Sequence, residues 1–514
     1  MRITNKVMQN NALVNINRNK ELQDSLNTEL ATGKKINRPS EDPVVAIRAL
    51  RLRSDVSQVS QYYKKNVPDA ESWLELTESS IKTTLSVVKD MINQCEKGSN
   101  DTLTTSDRKI VIDALKELKN EVYATGDADY AGRYIFTGYR TDTSLTFGEN
   151  TERETKIKEI ISSQDMDEYT YVGVENGGTK LTELSESRFN GASLMKEQDI
   201  TSSTCHRIKL AYGNVDDDPV PTVSFSDVNG DPIAGLPDVT PTKVDNREEA
   251  YETMKSMNEA GTEDMIFIPS TGEILISDAL YDKINTSGAD MTVDYNKKNW
   301  LASDLKPEHY FYTEAPDDKG NTVIYNTDYV KNKRVGQDIE YQVGFNQSIV
   351  INTNAEDIFK HSLGRDIDEI IDLANYLTDI ENMRDKFKAM SEDTSRYTDD
   401  EIEDINSDLD AATKASELAK DQLQKTFSKY ITKMQNYLNI TNEAVTTVGS
   451  RAARLELISN RLDDQTTTFK TLQSENEDAD ATEIAVQLSS AQVSYDAALM
   501  STSEMIQKTL LNYL

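Results

Sequence analysis

Apolar positions recur with a helical period at both ends of this chain and with a strand-like period between them. From Ile484, the residues Leu488, Ala491, Tyr495, Ala498 and Met505 follow alternating steps of four and three, interrupted by Thr502. Such spacing keeps one stripe on one helix face and predicts a coiled-coil seam. A second seam runs through Ala444, Val448, Leu455, Ile458, Leu462, Phe469 and Leu472, with Arg451 and Gln465 at the intervening positions. Near the start, Ile16, Leu22, Leu26 and Leu30 form a sparser stripe, because residues 1–30 are crowded with Asn, Lys and Gln. A helix this polar gains little from burial and is marginal alone in water. A further pattern, Leu74, Ile81, Leu85, Val88, Ile92 and Cys95, places Cys95 on an apolar face. Pro39 and Pro43 break the chain between the first two helical regions, and Pro68 sits near the start of the third.

After Tyr139 the pattern changes. Met265-Ile266-Phe267-Ile268 and Glu273-Ile274-Leu275-Ile276 flank Pro269-Ser270-Thr271-Gly272, and two apolar runs across a Pro/Gly turn predict a β-hairpin. Asn229-Gly230-Asp231-Pro232 is a second expected turn. Helical periodicity returns with Leu363, Ile367, Ile370, Ile371 and Ala374. The expected fold class is therefore α+β: a helical coiled-coil rod formed by the N- and C-terminal segments, with a β-rich domain inserted between them. The expected divisions are a first helix and turn over 1–45, rod over 46–138, β-rich domain over 139–360, rod over 361–475 and a last helix over 476–514. Two sequence-distant ends with unsatisfied seams can pair with each other and then with neighbouring copies, an organisation suited to a structural role.

Composition narrows the function. A chain of 514 residues exceeds the roughly 250–300 at which single cores stop growing, so several domains are expected. Lys+Arg number 56 and Asp+Glu 89, a formal charge of −33. A duplex-binding protein needs a basic footprint, and no Lys/Arg-rich run supplies one, so nucleic acid is not an expected partner. No stretch approaches ~18 consecutive apolar residues, so no membrane span is expected. The polar start, Met1-Arg2-Ile3-Thr4-Asn5-Lys6, lacks the apolar core of a secretory signal and read alone implies a cytoplasmic protein.

Catalytic chemistry is sparse. The sequence has no GxxxxGK[ST], GxSxG, HExxH or CxxC. The cysteines are Cys95 and Cys205; Cys205-His206 has no second pair at zinc spacing, and no disulfide is expected between them. Cys205 is expected to be readily alkylated and Cys95 only after denaturation. Asp227-x-Asn229-Gly230-Asp231 reads as a turn rather than a calcium loop, because its Gly comes too early and the bidentate Glu is missing. Asp216-Asp217-Asp218 and Glu475-Asn476-Glu477-Asp478 read as solvated surface, and His206, His309 and His361 are scattered. No catalytic residue, cofactor or metal site is expected.

A resemblance emerges in five segments. Thr32 to Ala46, TGKKINRPSEDPVVA, resembles the turn shared by flagellins and hook-associated proteins. Its physical sense is plain: Gly33 permits a positive φ, Pro39 and Pro43 fix the backbone, and Ser40, Glu41 and Asp42 can cap the helix that Pro43 opens. Asp107 to Thr141, ending GRYIFTGYRT, is similar to the hook-filament junction branch of that family, where it marks the helix-to-strand transition. Tyr341-Gln342-Val343-Gly344 through Asp357-Ile358-Phe359 resembles the closing strands of its outer domain. VGSRAARLELISNRL from Val448 and the run from Ser474 to Leu514, ending KTLLNYL, resemble the same branch. Residues from about 164 to 334 align with nothing.

The resemblance implies a non-enzymatic adaptor, exported unfolded without a cleaved signal and placed outside the cell on the flagellum, against the cytoplasmic reading above. Its implied partners are the first hook-associated protein, flagellin, copies of itself in a ring, and a flagellar export chaperone. The residues expected to mediate assembly are Ile16, Leu22, Leu26, Leu30, Gly33, Pro39, Asp42, Pro43, Ile484, Leu488, Tyr495, Leu510, Leu511 and Leu514. Two alternatives stay open: flagellin itself, and an enzyme carried by the inserted middle.

Overall fold

The apolar stripes near both termini lie on long helices. In the computed structural model, which describes residues 5–100, 103–175, 180–227, 230–317 and 319–507, α1 (Asn5–Thr32), α2 (Pro43–Gln61), α3 (Val67–Gly98) and α4 (Thr105–Thr125) come first. Helices α5 (Arg247–Ala260) and α6 (Asp278–Ser287) and the one-turn α7 (Tyr329–Asn332) and α8 (Ala355–Ile358) fall in the middle region. Then follow α9 (His361–Glu392), α10 (Asp399–Glu477) and α11 (Ala481–Gln507). Two compact units result. One comprises Met1–Glu71, Tyr341–Ile349 and Ala453–Leu514, and the other Ser72–Glu340 and Val350–Ala452.

In the first unit, Pro68 does not interrupt the chain of helices. A π-turn, Tyr62–Asn66, joins α2 to α3, and the Val67 amide donates to the Tyr62 carbonyl. Proline has no N–H for the carbonyl four residues back and its ring clashes there; widening the turn by one residue relieves the clash. The segment Tyr341–Ile349 is held within this unit: Asn66 Nδ2 donates to the Gln342 carbonyl at 2.8 Å, and the Tyr341 hydroxyl donates to Asp69.

The seam expected beyond Leu462 is displaced. Leu455, Ile458 and Leu462 are buried, but the next buried position is Thr466 and not Gln465, and Leu472 is exposed. The step of four in place of three has a simple cause. An α-helix drifts out of a strict 3.5-residue repeat, and a four-residue insertion brings the buried face back into line.

The second unit contains the strands β1 (Asp129–Tyr130), β2 (Arg133–Tyr134), β3 (Thr151–Ser162), β4 (Asp167–Val174), β5 (Ile200–Lys209) and β6 (Thr222–Ser226). They are followed by β7 (Thr242–Lys243), β8 (Met265–Ile268), β9 (Glu273–Ile276), β10 (Asp290–Trp300), β11 (Tyr312–Pro316) and β12 (Thr322–Tyr325). One sheet has the order β12-β11-β3-β10-β6 and another β4-β5-β9-β8-β7. The hairpin expected at 265–276 forms, with Met265 opposite Ile276 and Ile268 opposite Glu273. In β3 the alternation of the pleat buries Thr155, Ile157, Glu159 and Ile161.

Within this unit, Arg207 on β5 is fully buried and meets three carboxylates: Asp167, Glu273 and Glu369. Lys209, two residues on and so on the same face, pairs with Asp366 at 3.0 Å and Glu369 at 2.9 Å. Strands β4, β5 and β9 are thereby tied to α9, which brings both carboxylate partners of Lys209.

The cysteines differ from expectation in one respect. Cys95 is buried, but so is Cys205, which lies on β5 opposite Tyr169. Burial pushes both thiols up to about 12. The adjacent His206 stacks on Tyr281 with ring centroids 3.5 Å apart.

Candidate functional site: the paired terminal helices

Helix α1 packs on α11. On α11 the covered line is Ile484, Leu488, Ala491, Tyr495, Ala498 and Thr502, at alternating steps of four and three. Leu26 of α1 is buried in one cluster with Ile484 and Ala491, against which Leu488 and Ala479 pack. Burying a leucine stabilises by roughly 1.5–3 kcal/mol, and among the described residues this is the single buried apolar side chain of α1.

The rest of the covered line on α1 is mixed, with three amides beside Ala12 and Ile16. Gln9, Ala12, Ile16, Asn19 and Gln23 are half-buried at the same alternating steps and lead to Leu26, whereas Leu22 and Leu30 are exposed. Their cause is spacing: steps of four alone, from 22 to 26 to 30, drift across the helix face. Leu510, Leu511 and Leu514 lie outside the described residues.

Between α1 and α2 the chain turns sharply. Gly33 adopts φ +67°, and its amide donates to the Glu29 carbonyl at 2.8 Å, closing α1. Asp42 is the N-cap of α2: its Oδ1 accepts from the Val44 and Val45 amides at 2.9 and 3.1 Å, with Pro43 at the first helical position. Glu41 does something else. Its Oε2 accepts from the Asn37 and Arg38 amides, at 2.7 and 3.2 Å, and so orders the loop rather than the helix. Pro39 is exposed on that loop.

This turn is clasped to the junction of α10 and α11. Lys34 and Asp478 form an antiparallel bridge; the Lys35 amide donates to the Glu477 carbonyl at 2.8 Å and the Ala479 amide to the Gly33 carbonyl at 3.0 Å. Lys34 Nζ lies 2.5 Å from Asp478 and 3.4 Å from Glu477. Arg53 of α2 meets Glu477 with two hydrogen bonds. Glu477 is buried, and the guanidinium of Arg53, with Lys34 beside it, holds its carboxyl below the usual range. The reading of Glu475–Asp478 as solvated surface is thus corrected for Glu477, a structural ion-pair partner. Arg53, Lys34 and Glu477 were not singled out by periodicity, which registers apolar residues only; the available signal was Lys34-Lys35 after a helix-ending glycine and an acidic run at the other junction.

The opposite face of α11 is bare. Val486, Val493 and Met500 recur every seven residues and are 66%, 67% and 74% exposed. The groove along them is lined by Ala485, Ser489, Ser490 and Ser494. Helix α2 likewise exposes Val44, Ile47 and Leu50. A heptad stripe with small residues beside it has the geometry to receive another helix. Among the described residues, no His/Cys/Asp/Glu group is placed to hold a metal ion, and no helix is long and apolar enough to cross a membrane.

Known proteins are similar to parts of the chain. Residues 3–141 match the bacterial flagellin N-terminal helical region. Flagellar hook-associated protein 3 of Salmonella typhimurium is 27% identical over 145 residues, 28% of this chain and 45% of that protein. Flagellin of Clostridium tyrobutyricum is 30% identical over 122 residues, 24% of this chain and 32% of that one. The chain spans less than half the length of these relatives. Among solved structures, flagellar hook-associated protein 3 of Legionella pneumophila superposes with a TM-score of 0.30 at 10% identity, over 82% of this chain and 97% of that one.

Proposed function

We propose that this chain, which carries the flagellin N-terminal helical region over residues 3–141, is a structural adaptor of the bacterial flagellum. On this reading it sits at the junction between the hook, through the first hook-associated protein, and the flagellin filament. The observation that carries the proposal is that α11 has two apolar faces and α1 covers one. The stripe Val486, Val493 and Met500 remains for a neighbouring subunit. Copies of this chain, the first hook-associated protein and flagellin are the proposed occupants of such faces, and a flagellar export chaperone covers them before assembly. The protein acts outside the cell after export without a cleaved signal, and it catalyses no reaction.

Flagellin itself is the second reading, favoured by the 30% identity to a flagellin. Immunogold labelling of isolated flagella separates the two. One labelled band where hook meets filament supports the junction role, and label along the whole filament assigns the chain to flagellin. Absence of label from flagella overturns both. A Val493→Glu variant tests the mechanism: it should be secreted and folded yet leave cells releasing flagellin into the medium.

A further inference from the structure

We infer that a cleft at the first turn of α9, within the β-rich unit, binds a tetrahedral oxyanion of the phosphate or sulfate kind. The cleft encloses about 380 Å³. Two of its lining side chains, Lys297 and Arg365, are cations without a carboxylate in contact among the described residues. Lys297 is 2% exposed, and its ammonium donates to the carbonyls of Gly213 at 2.6 Å and Asn214 at 3.3 Å. It also lies over the rings of Trp300 and Tyr212, at 5.3 and 6.0 Å. Arg365 donates to the carbonyls of Leu210, at 3.0 Å, and Thr271.

Among the described residues of this unit the other deeply buried cations, Arg207 and Arg108, are matched by carboxylates, whereas the half-buried Arg140 and Lys306, like Arg365, meet only carbonyl, amide or hydroxyl oxygens. Arg207 meets three carboxylates, Lys209 two, Arg153 pairs with Glu308 and Arg108 with Glu381. In a chain with 89 acidic and 56 basic residues, Lys297 is, among the described residues of this unit, the deeply buried lysine or arginine left without a carboxylate. A buried ammonium without a counterion is costly, and burial pushes Lys297 below its ordinary value. An anion in the cleft would supply the missing charge.

The surroundings favour that occupant. The first turn of α9 carries no acidic residue to oppose the positive end of its dipole, although its Gly364 amide is already taken by the Tyr123 hydroxyl. A side chain at position 213 would come within 3.1 Å of Arg365 Nη1, so glycine leaves that edge of the guanidinium open. Lys116 adds an exposed cation at the rim. His361 contributes no charge, because burial lowers it to about 3.

Three carboxylates oppose binding. Asp368 pairs with Lys119, Asp304 accepts from the Leu301 amide at 3.0 Å, and Asp372 lines the far side. Burial raises Asp304 and Asp372 above the ordinary carboxyl value. Acidification therefore neutralises opponents before it touches the cations, and affinity for sulfate, whose charge is constant over this range, should rise as pH falls.

The test is thermal unfolding and calorimetric titration of the full chain with sodium sulfate or phosphate, at ionic strength held constant with chloride. A saturable shift with both oxyanions, absent with chloride, is expected. Lys297→Met and Arg365→Gln should weaken binding by about tenfold or more, the loss of one charge-assisted hydrogen bond. If either variant fails to fold, Lys116→Ala and Asp304→Asn decide, the first weakening and the second tightening binding. A non-saturating shift shared with chloride, or binding indifferent to all four substitutions, overturns the proposal.

Discussion

Arg53 and Glu477 are 424 positions apart in sequence and meet through two parallel hydrogen bonds, Nε to Oε1 at 2.8 Å and Nη2 to Oε2 at 2.6 Å. The pair is half in solvent, since Arg53 is largely exposed while Glu477 is not. It fixes the turn after α1 to the junction before α11, the two points from which the terminal helices depart.

Removing either partner should loosen that clasp. A double-mutant cycle with Arg53→Ala and Glu477→Ala, read by chemical denaturation, should give a coupling of about 1 kcal/mol. The pH dependence has a definite sign. Glu477 is lowered from the ordinary 4.5, so its contribution is complete above that value and is lost as pH falls through the folded-state value below it. Glu477→Gln should flatten the stability profile below pH 4.5, and an unchanged acid limb would show that the pair contributes nothing.

The thiols give a second prediction. Because both are buried and pushed up to about 12, neither Cys95 nor Cys205 should react with iodoacetamide in the native protein. Both should react in denaturant. Rapid labelling of Cys205 alone would mean that β5 opens in solution.

Glu159 gives a third. Its carboxylate accepts from the Ala211 amide at 3.0 Å and the Tyr295 hydroxyl at 2.9 Å, yet burial outweighs both bonds and raises it to about 7. A raised acid destabilises the fold progressively as pH climbs from its ordinary 4.5 to 7, by on the order of 3 kcal/mol, and then by a constant amount. Glu159→Gln should therefore be more stable than the parent at pH 8 and equal to it below pH 4.5. Melting curves across that range check this, and parallel profiles would refute it.

The Arg207 cluster gives a fourth. Replacing Arg207 by Ala leaves Glu273 and Glu369 buried beside fewer cations, at a cost of about 3–5 kcal/mol. The denaturation midpoint of the β-rich unit is the readout. A loss below 1 kcal/mol would mean that water enters the site.

Legibility in the sequence followed the apolar signal. The α11 line was visible because Ile484, Leu488 and Ala491 are apolar and strictly spaced; the hairpin from Met265 to Ile276 was visible because its two runs flank a turn. The α1 line was not, because Gln9, Asn19 and Gln23 occupy it and amides leave no mark on a hydrophobic pattern. Pro68 reads as a breaker, and local sequence does not reveal that a π-turn accommodates it. The clasp and the pairing of Asp290 with Ser162 join distant positions, and no local pattern encodes such pairs. Lys297 and Arg365 gave no signal either, since what sets them apart is the partner they lack.

The amides along α1 have a mechanical consequence. A coiled coil locks its lengthwise register through large apolar knobs, and α1 offers one fully seated knob, Leu26. Sliding α1 by seven residues along α11 would bring Asn19 to the place of Leu26, Ile16 to that of Gln23 and Ala12 to that of Asn19, so the one buried leucine contact is what such a shift gives up. The lengthwise alignment of the paired termini is thus pinned at a single point, as a strap is held by one peg.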